Sequence, residues 1–328
     1  MTSFLIRRLL NMIPLIIGIT FISFLAMSLV PGDYLSNLKM NPKISPEVIH
    51  QLQAQFGLDK PLLVRYVRWL WGVLRLDFGY SLKYRVSVTS LIAARAFNTV
   101  ILAAASMVFA WMLAIPIGIV VAVRQNSIWD RLLSFLAFLG MSIPNFFLAF
   151  LMVYFAMWMG KDWLPPGGTF SVDYTSLDFI NRVADRINHL ILPVFVLGVS
   201  GMAGLIRLMR SQILEIKNSE FVRTARAKGL SERVVIYKHV LRNALNPFIT
   251  MAGYSLGDLL GGAALVEAVM NLQGLGLLLL DAVRSLDIYL VMGSVLIGTV
   301  LLLAGNLLAD IALVAVDPRV DFSSMAAQ

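Results

Sequence analysis

About six apolar stretches, each long enough to cross a lipid bilayer, divide this chain of 328 residues. A hydrocarbon core about 30 Å thick needs roughly 20 helical residues, because each residue rises only about 1.5 Å. The stretches lie near residues 9–30, 98–123, 132–159, 190–209, 248–269 and 289–316. Inside lipid every backbone polar group must find an internal partner, so segments of this kind fold as helices. The expectation is an all-α integral membrane protein. Composition agrees, with 14% charged residues against about 25% in soluble domains.

Arg7 and Arg8 precede the first run. That run exceeds the h-region of a signal peptide and shows no small-x-small cleavage pattern before Pro31-Gly32, so it reads as a retained span. The net charge of +8 raises the question of nucleic acid. The basic residues lie mainly between apolar spans and in one outer segment, so membrane topology explains them and no nucleic-acid partner is expected. The chain has no cysteine, which excludes disulfides and thiolate metal sites. His50, His189 and His239 are isolated in sequence, and no metal site is expected.

Orientation follows from the short loops. Arg7 and Arg8, then Arg124 and Arg131, then the basic block after the fourth span belong on the cytoplasmic side. The opposite loops are acidic or balanced: Asp162, Asp173, Asp178 and Asp185 outweigh Lys161, Arg182 and Arg186, and Asp281 and Asp287 outweigh Arg284. Both termini are therefore expected inside. The chain divides into an N-terminal tail and first helix (1–31), an external helical segment (32–97) and a five-helix membrane core (98–328).

In the external segment, Ser45-Pro46-Glu47 reads as an N-cap, a helix-first proline and an acidic first turn, with the helix ending at Gly57. A second helix starts near Pro61 and carries Tyr66, Trp69, Leu70 and Trp71 on or near one face, which suits the outer membrane interface. Lys39, Lys43, Lys60, Arg65, Arg68, Arg75, Lys83 and Arg85 make the segment basic, but it is long enough to escape the charge rule.

Breakers and acids mark the spans. Pro116 sits inside the second and reads as a packing kink. Ser142, Pro144 and Asn145 fall mid-way along the third and are candidates for lining a pathway or for a simple kink. Gly253, Gly257 and Gly261 recur every four residues in the fifth, a pattern that lets helix backbones approach closely. Asp258 lies near its middle and Glu267 near its outer end. A charge in mid-bilayer costs several kcal/mol unless paired, so both are pathway candidates, weighed against hydrogen-bonded structural roles. Asp310, near the inner end of the sixth span, reads as structural.

The longest strongly basic block between two spans is residues 219–247, SEFVRTARAKGLSERVVIYKHVLRNALNP. Gly229 followed by Ser231 reads as a short helix ending at a glycine and a second starting at a serine cap. Phe221, Val222 and Ala225 share one side of the first helix, ringed by Arg223, Arg226 and Lys228, with Leu230 following the glycine. Val234, Tyr237, Val240, Leu241, Ala244 and Leu245 form an apolar stripe on the second. Retaining charge inside needs only a basic loop. A helix–glycine–helix with an apolar face suits docking into a groove on a partner.

This block resembles the EAA loop of permease subunits from bacterial ABC importers. The Glu-Ala-Ala positions of that loop are here Arg223, Thr224 and Ala225, while Gly229 and Leu241 are retained. TARAKGL followed by H-x-LRNAL is similar to the version in the peptide/nickel (dipeptide/oligopeptide) transport family. With LIRRLL…IP…PGD, LRLDFGYSL near residue 80 and NLLAD…DPRVDF, the resemblance covers nearly the whole chain and points to the B-type permease with a long first external loop. One departure is Gln273 in QGLG, where that family usually has a proline.

The resemblance implies a type I ABC importer permease fold with a cytoplasmic coupling loop at 211–247. It implies a multi-pass protein of the bacterial inner membrane, embedded in membrane lipid. Partners would be a homologous second permease forming a heterodimer, two ABC ATPase subunits and an external solute-binding protein. The ATPase-coupling residues would be Phe221, Val222, Arg223, Ala225, Arg226, Lys228, Gly229 and Leu230. The cargo would be di- or oligopeptides, or alternatively nickel chelates, oligosaccharides or opines. No Gly-x4-Gly-Lys-Ser/Thr loop or catalytic motif occurs. The chain is thus not expected to be an enzyme or to hold a cofactor, and ATP and Mg would sit on the partner subunits. An ion-coupled secondary transporter using Asp258 and Glu267 is the reading from another class; it has no use for the block around Gly229.

Overall fold

The first apolar run forms helix α1 (Thr2–Leu29), helical straight through Pro14. The structure, a computed structural model, describes residues 2–32, 34–35, 45–55, 57, 59–160 and 164–316, and not the side chains of 2–4, 52, 55, 253–262 and 315–316. Lys39, Lys43, Lys161, Asp162 and the DPRVDF stretch at 317–322 lie outside the described residues, as do the side chains of Gly253, Gly257, Asp258 and Gly261. The chain divides into two units, residues 1–99 with 273–303 and residues 100–272 with 304–328.

In the first unit, α2 (Pro46–Gln55) carries Glu47 in its first turn, and the chain turns at Gly57 with φ +63°. Helix α3 (Leu62–Val73) follows Pro61, whose extended ψ of 145° sets the entry. The aromatic face expected on α3 divides. Tyr66 and Trp69, three residues apart, are buried, whereas Trp71 points outward. The Tyr66 hydroxyl donates to the Ile17 carbonyl at 3.0 Å and lies 3.0 Å from Thr20 Oγ1, so α3 is hydrogen-bonded to α1. The Trp69 Nε1 donates to the Phe78 carbonyl at 3.2 Å. Tyr66 and Trp69 thus pack within the protein, and Trp71 is left on its surface.

A short hairpin, β1 (Tyr80–Ser81) with β2 (Val86–Ser87), was not foreseen; Tyr80 pairs with Ser87 and Ser81 with Val86. Helix α4 (Val88–Val123) starts directly after it, ten residues before the expected span. Helix α11 (Leu275–Arg284) forms inside what reads as a loop, and α12 (Ile288–Val316) is the last span.

In the second unit, α4 continues through Pro116 without interruption. The expected third span is instead two helices, α5 (Ile128–Ser142) and α6 (Asn145–Met159), meeting at 96°. Pro144 disfavours helical backbone at the preceding residue, and Ile143 accordingly adopts φ −89°, ψ 122°. Helix α7 (Phe179–Ile216) is 38 residues long and overruns the expected 190–209 at both ends. Its polar first turns carry too little hydropathy to be seen as span. Then come α8 (Glu220–Ala227), α9 in three segments (Glu232–Val234, the π-helical Val235–Val240, and Leu241–Ala244) and α10 (Asn246–Val269). Among the described residues, four helices are long and apolar enough to cross a membrane, or five if the bent pair counts as one.

Two apolar clusters hold this unit. One joins α4, α7, α8, α9 and the start of α10 through Ala114, Met209, Ile213, Val222, Val240 and Phe248. The other joins α6, α7 and α10 through Ala149, Ala156, Val196, Val266 and Met270.

Candidate functional site

The block around Gly229 folds as two short helices that meet at this glycine. Gly229 has φ +77° and donates its N–H to the Arg226 carbonyl at 2.9 Å. Nothing lies within 4 Å of where a Cβ would stand, so glycine is needed there for backbone freedom alone. Ser231 is at the N-cap position of α9, but its side chain makes no capping bond. Ser219 stands likewise before α8 and uses its hydroxyl to donate to the Ile216 carbonyl at 2.7 Å.

The apolar key expected on α8 is divided between two faces. Val222 and Ala225 are buried in the chain's own core against the end of α7 and α9, so they do not present an outward contact. Phe221 remains exposed, as do Arg223, Lys228, Gly229 and Leu230. The difference follows from helix geometry. Val222 and Ala225 are three apart and stack on one face, whereas Phe221 is rotated about 100° from Val222. The outward surface is therefore mixed: Phe221 and Leu230 supply apolar area beside Arg223 and Lys228.

Arg226, expected in the ring around the apolar side, bridges three segments instead. Its Nε and Nη2 donate to the two carboxylate oxygens of Glu232 at 3.1 and 2.8 Å, and Nη1 donates to the Lys217 carbonyl at 3.3 Å. One guanidinium so connects the end of α7, α8 and the start of α9. The Arg226 hydrogen bonds hold the Glu232 carboxyl below its usual range, against the smaller opposing effect of burial. Arg223 makes a wholly exposed pair with Glu220 at 2.8 Å.

The expected stripe on the second helix is shifted. Val235, Ile236, Val240 and Ala244 are the buried residues, while Tyr237 is 61% exposed and Val234 38%. The cause is the π-helical turn at Val235–Val240. A wider turn delays the return of each side chain to the inner face, so a 3.6-residue pattern misplaces the stripe.

The pathway candidates separate. Ser142 and Pro144 are exposed and Asn145 half-buried at the α5–α6 break, where the Ser142 hydroxyl donates back to the Phe138 carbonyl at 2.8 Å. Glu267 is fully buried beside Val266 and Met270, so within this chain it packs inside and does not line open space. Its backbone carbonyl accepts from Leu272 N–H at 2.8 Å, closing the end of α10. The side chain of Asp258 lies outside the described residues.

Two acids that give no local signal of a partner organise the hairpin of the first unit. Asp287 is fully buried and accepts from Ser81 Oγ at 2.7 Å, Lys83 N–H at 3.1 Å and Leu290 N–H at 3.3 Å. It thus caps α12 and pins the hairpin at once. Asp281 accepts from the Tyr84 hydroxyl at 3.0 Å. Gly79 lets the chain enter this hairpin, with φ +95° and the Tyr289 ring 3.1 Å from where a Cβ would stand. An aspartate in a loop counted for the charge rule gives no local signal of a partner some two hundred residues away.

Comparison with known proteins fits this architecture. The family model for the binding-protein-dependent transport system inner membrane component matches residues 114–322, and the N-terminal model of the same transport systems matches residues 1–103. The oligopeptide transport system permease protein AppB of Bacillus subtilis is 40% identical over 98% of this chain and all of its own length. The dipeptide transport system permease protein DppB of Escherichia coli K12 is 36% identical over 98% of this chain and 99% of its own. Among solved structures, the inward-facing MetNI methionine ABC transporter matches with a TM-score of 0.53 at 20% identity, over 69% of this chain and 96% of that one. The last likeness speaks for fold alone, that of a type I permease. The full-length relatives speak for descent, and the chain belongs to the family of binding-protein-dependent transport system inner membrane components.

Proposed function

We propose that this chain is one of two permeases in an ATP-driven importer of di- or oligopeptides. The observation that carries the reading is the full-length likeness to peptide permeases in a chain whose basic block is built as an angled, outward-facing surface. A homologous second permease completes the pathway, and two ATPase subunits bind ATP and Mg. An external solute-binding protein delivers cargo. Phe221, Leu230, Arg223 and Lys228 form the contact with an ATPase, while Val222, Ala225, Arg226 and Gly229 hold that contact in shape. Ser142, Pro144, Asn145 and Asp258 border the pathway.

The protein resides in the bacterial inner membrane with both termini and the Gly229 block on the cytoplasmic side. Labels at position 230 react from the cytoplasm, and labels near 45 and 170 from outside. The deciding experiment reconstitutes the chain with its partners in vesicles and supplies labelled dipeptides, nickel chelates or oligosaccharides. Uptake of peptide that follows ATP and ignores a proton gradient is the expected result. Uptake driven by the gradient without ATP would overturn it.

A further inference from the structure

Between α5 and α7 lies a cleft of about 320 Å³ lined by ten residues. On α5 it uses Asp130, Ser134, Ala137 and Phe138, which fall on one helix face at intervals of four, three and one. On α7 it uses Ala203, Ile206, Arg207 and Arg210, again one face. The helices run antiparallel there, with the Asp130–Arg210 pair, 3.1 Å apart, fixing the register at one end. Ala137, Phe138 and Ala203 lie about 10–12 Å further along. The cleft is therefore cationic at its mouth and apolar along its length.

The charges at the mouth do not balance. Arg131, Arg207 and Arg210 face one carboxylate, Asp130. That carboxylate is already engaged: one oxygen accepts from Asn126 N–H at 2.9 Å and from Arg210, and Ser134 Oγ lies 3.4 Å from the other. Arg131 and Arg207 make no side-chain hydrogen bond or ion pair among the described residues, and the Arg210 Nε is buried without a partner. An excess of about two positive charges over an apolar trough matches an anionic headgroup that carries an acyl chain. A water-soluble anion would have no use for the trough, and a zwitterionic lipid would gain little from the charges.

We propose that this cleft binds one anionic phospholipid, its phosphate between Arg131, Arg207 and Arg210 and its chain along Phe138, Ala203 and Ile206. The same phosphate chemistry is offered by free anions, and the experiment separates the two. The purified full chain, with any co-purifying partner, is titrated with phosphatidylglycerol or phosphatidylcholine and read by native mass spectrometry. One phosphatidylglycerol should be retained in preference to phosphatidylcholine. Each of Arg131→Gln and Arg207→Gln should lower its occupancy about fivefold, as expected for one cation near a lipid surface. Neither variant touches the Asp130–Arg210 pair, so folding, checked by size-exclusion, should hold. Phe138→Ala should weaken phosphatidylglycerol retention. Equal phosphatidylglycerol retention by the double variant Arg131→Gln/Arg207→Gln and the wild type would overturn the proposal. So would displacement of the lipid by millimolar inorganic phosphate, which would mark a free-anion site instead.

Discussion

Arg226 grips Glu232 through two hydrogen bonds across the turn at Gly229, so the angle between α8 and α9 is held by a side-chain clamp as well as by backbone. Both groups are partly exposed, which limits the clamp to about 0.5–1 kcal/mol. Arg226→Ala should loosen the block more than Arg223→Ala, whose pair with Glu220 is wholly exposed. Hydrogen exchange of the amides in residues 220–234 measures this directly. Equal protection in the two variants would count against the clamp.

The clamp has a definite pH dependence. Its acid is held below the ordinary value of 4.5, chiefly by Arg226. A lowered carboxylate contributes stability above its unfolded value, and that stability disappears as pH falls through the folded one. Protection of residues 220–234 should therefore be flat from pH 8 to about 5 and fall below about 4. In Glu232→Gln the fall should vanish.

Gly229 separates strain from crowding. An added side chain has room, so only the positive φ penalises it. Gly229→Asn should be nearly neutral, because asparagine tolerates this region. Gly229→Val should strain the turn by about 1–3 kcal/mol and sharply lower ATPase docking or stimulated hydrolysis while the permease still inserts. Pull-down of the ATPases with each variant tests it, and equal docking by valine and asparagine would sink the idea.

Neighbouring positions on α8 should fail in different ways. Phe221→Glu alters an exposed side chain and should reduce ATPase docking without lowering the yield of the permease. Val222→Glu places a charge in the core at a cost of several kcal/mol and should lower the yield itself. Quantifying membrane-inserted protein beside docking distinguishes the two.

Asp287→Ala removes a helix cap and strands two donors, Ser81 Oγ–H and Lys83 N–H. A loss of about 2–4 kcal/mol is expected, confined to the β1–β2 hairpin and the start of α12. Limited proteolysis between residues 76 and 90 should accelerate. Asp287→Asn, which keeps one acceptor oxygen, should lie between.

Much of this architecture was readable because lipid leaves the backbone few choices. The apolar runs foretold α1, α4, α7, α10 and α12, and Gly229 foretold the break in the basic block. What escaped reading depended on distance or on departures from regular geometry. Nothing local to Asp130 announces Arg210, and nothing local to Asp287 announces Ser81. A helical wheel drawn at 3.6 residues placed Tyr237 inside, but the π-helical turn carries it out. The same wheel grouped Phe221 with Val222, although the 100° step between them leaves Phe221 exposed and Val222 buried.

The elbow at Ile143–Pro144 has one more consequence. Each arm has 15 residues, about 22 Å of helix, and neither alone reaches across about 30 Å of hydrocarbon. The last carbonyls of α5 lose their intrahelical donors where the chain turns. The Ser142 hydroxyl donates to Phe138, one residue short of those carbonyls, and the Pro144 ring nitrogen has no hydrogen to give. Lipid tails carry no donors either. Wherever this elbow sits at membrane depth, its carbonyls must be met by water or by protein donors, which makes it a thirsty notch in an otherwise oily surface.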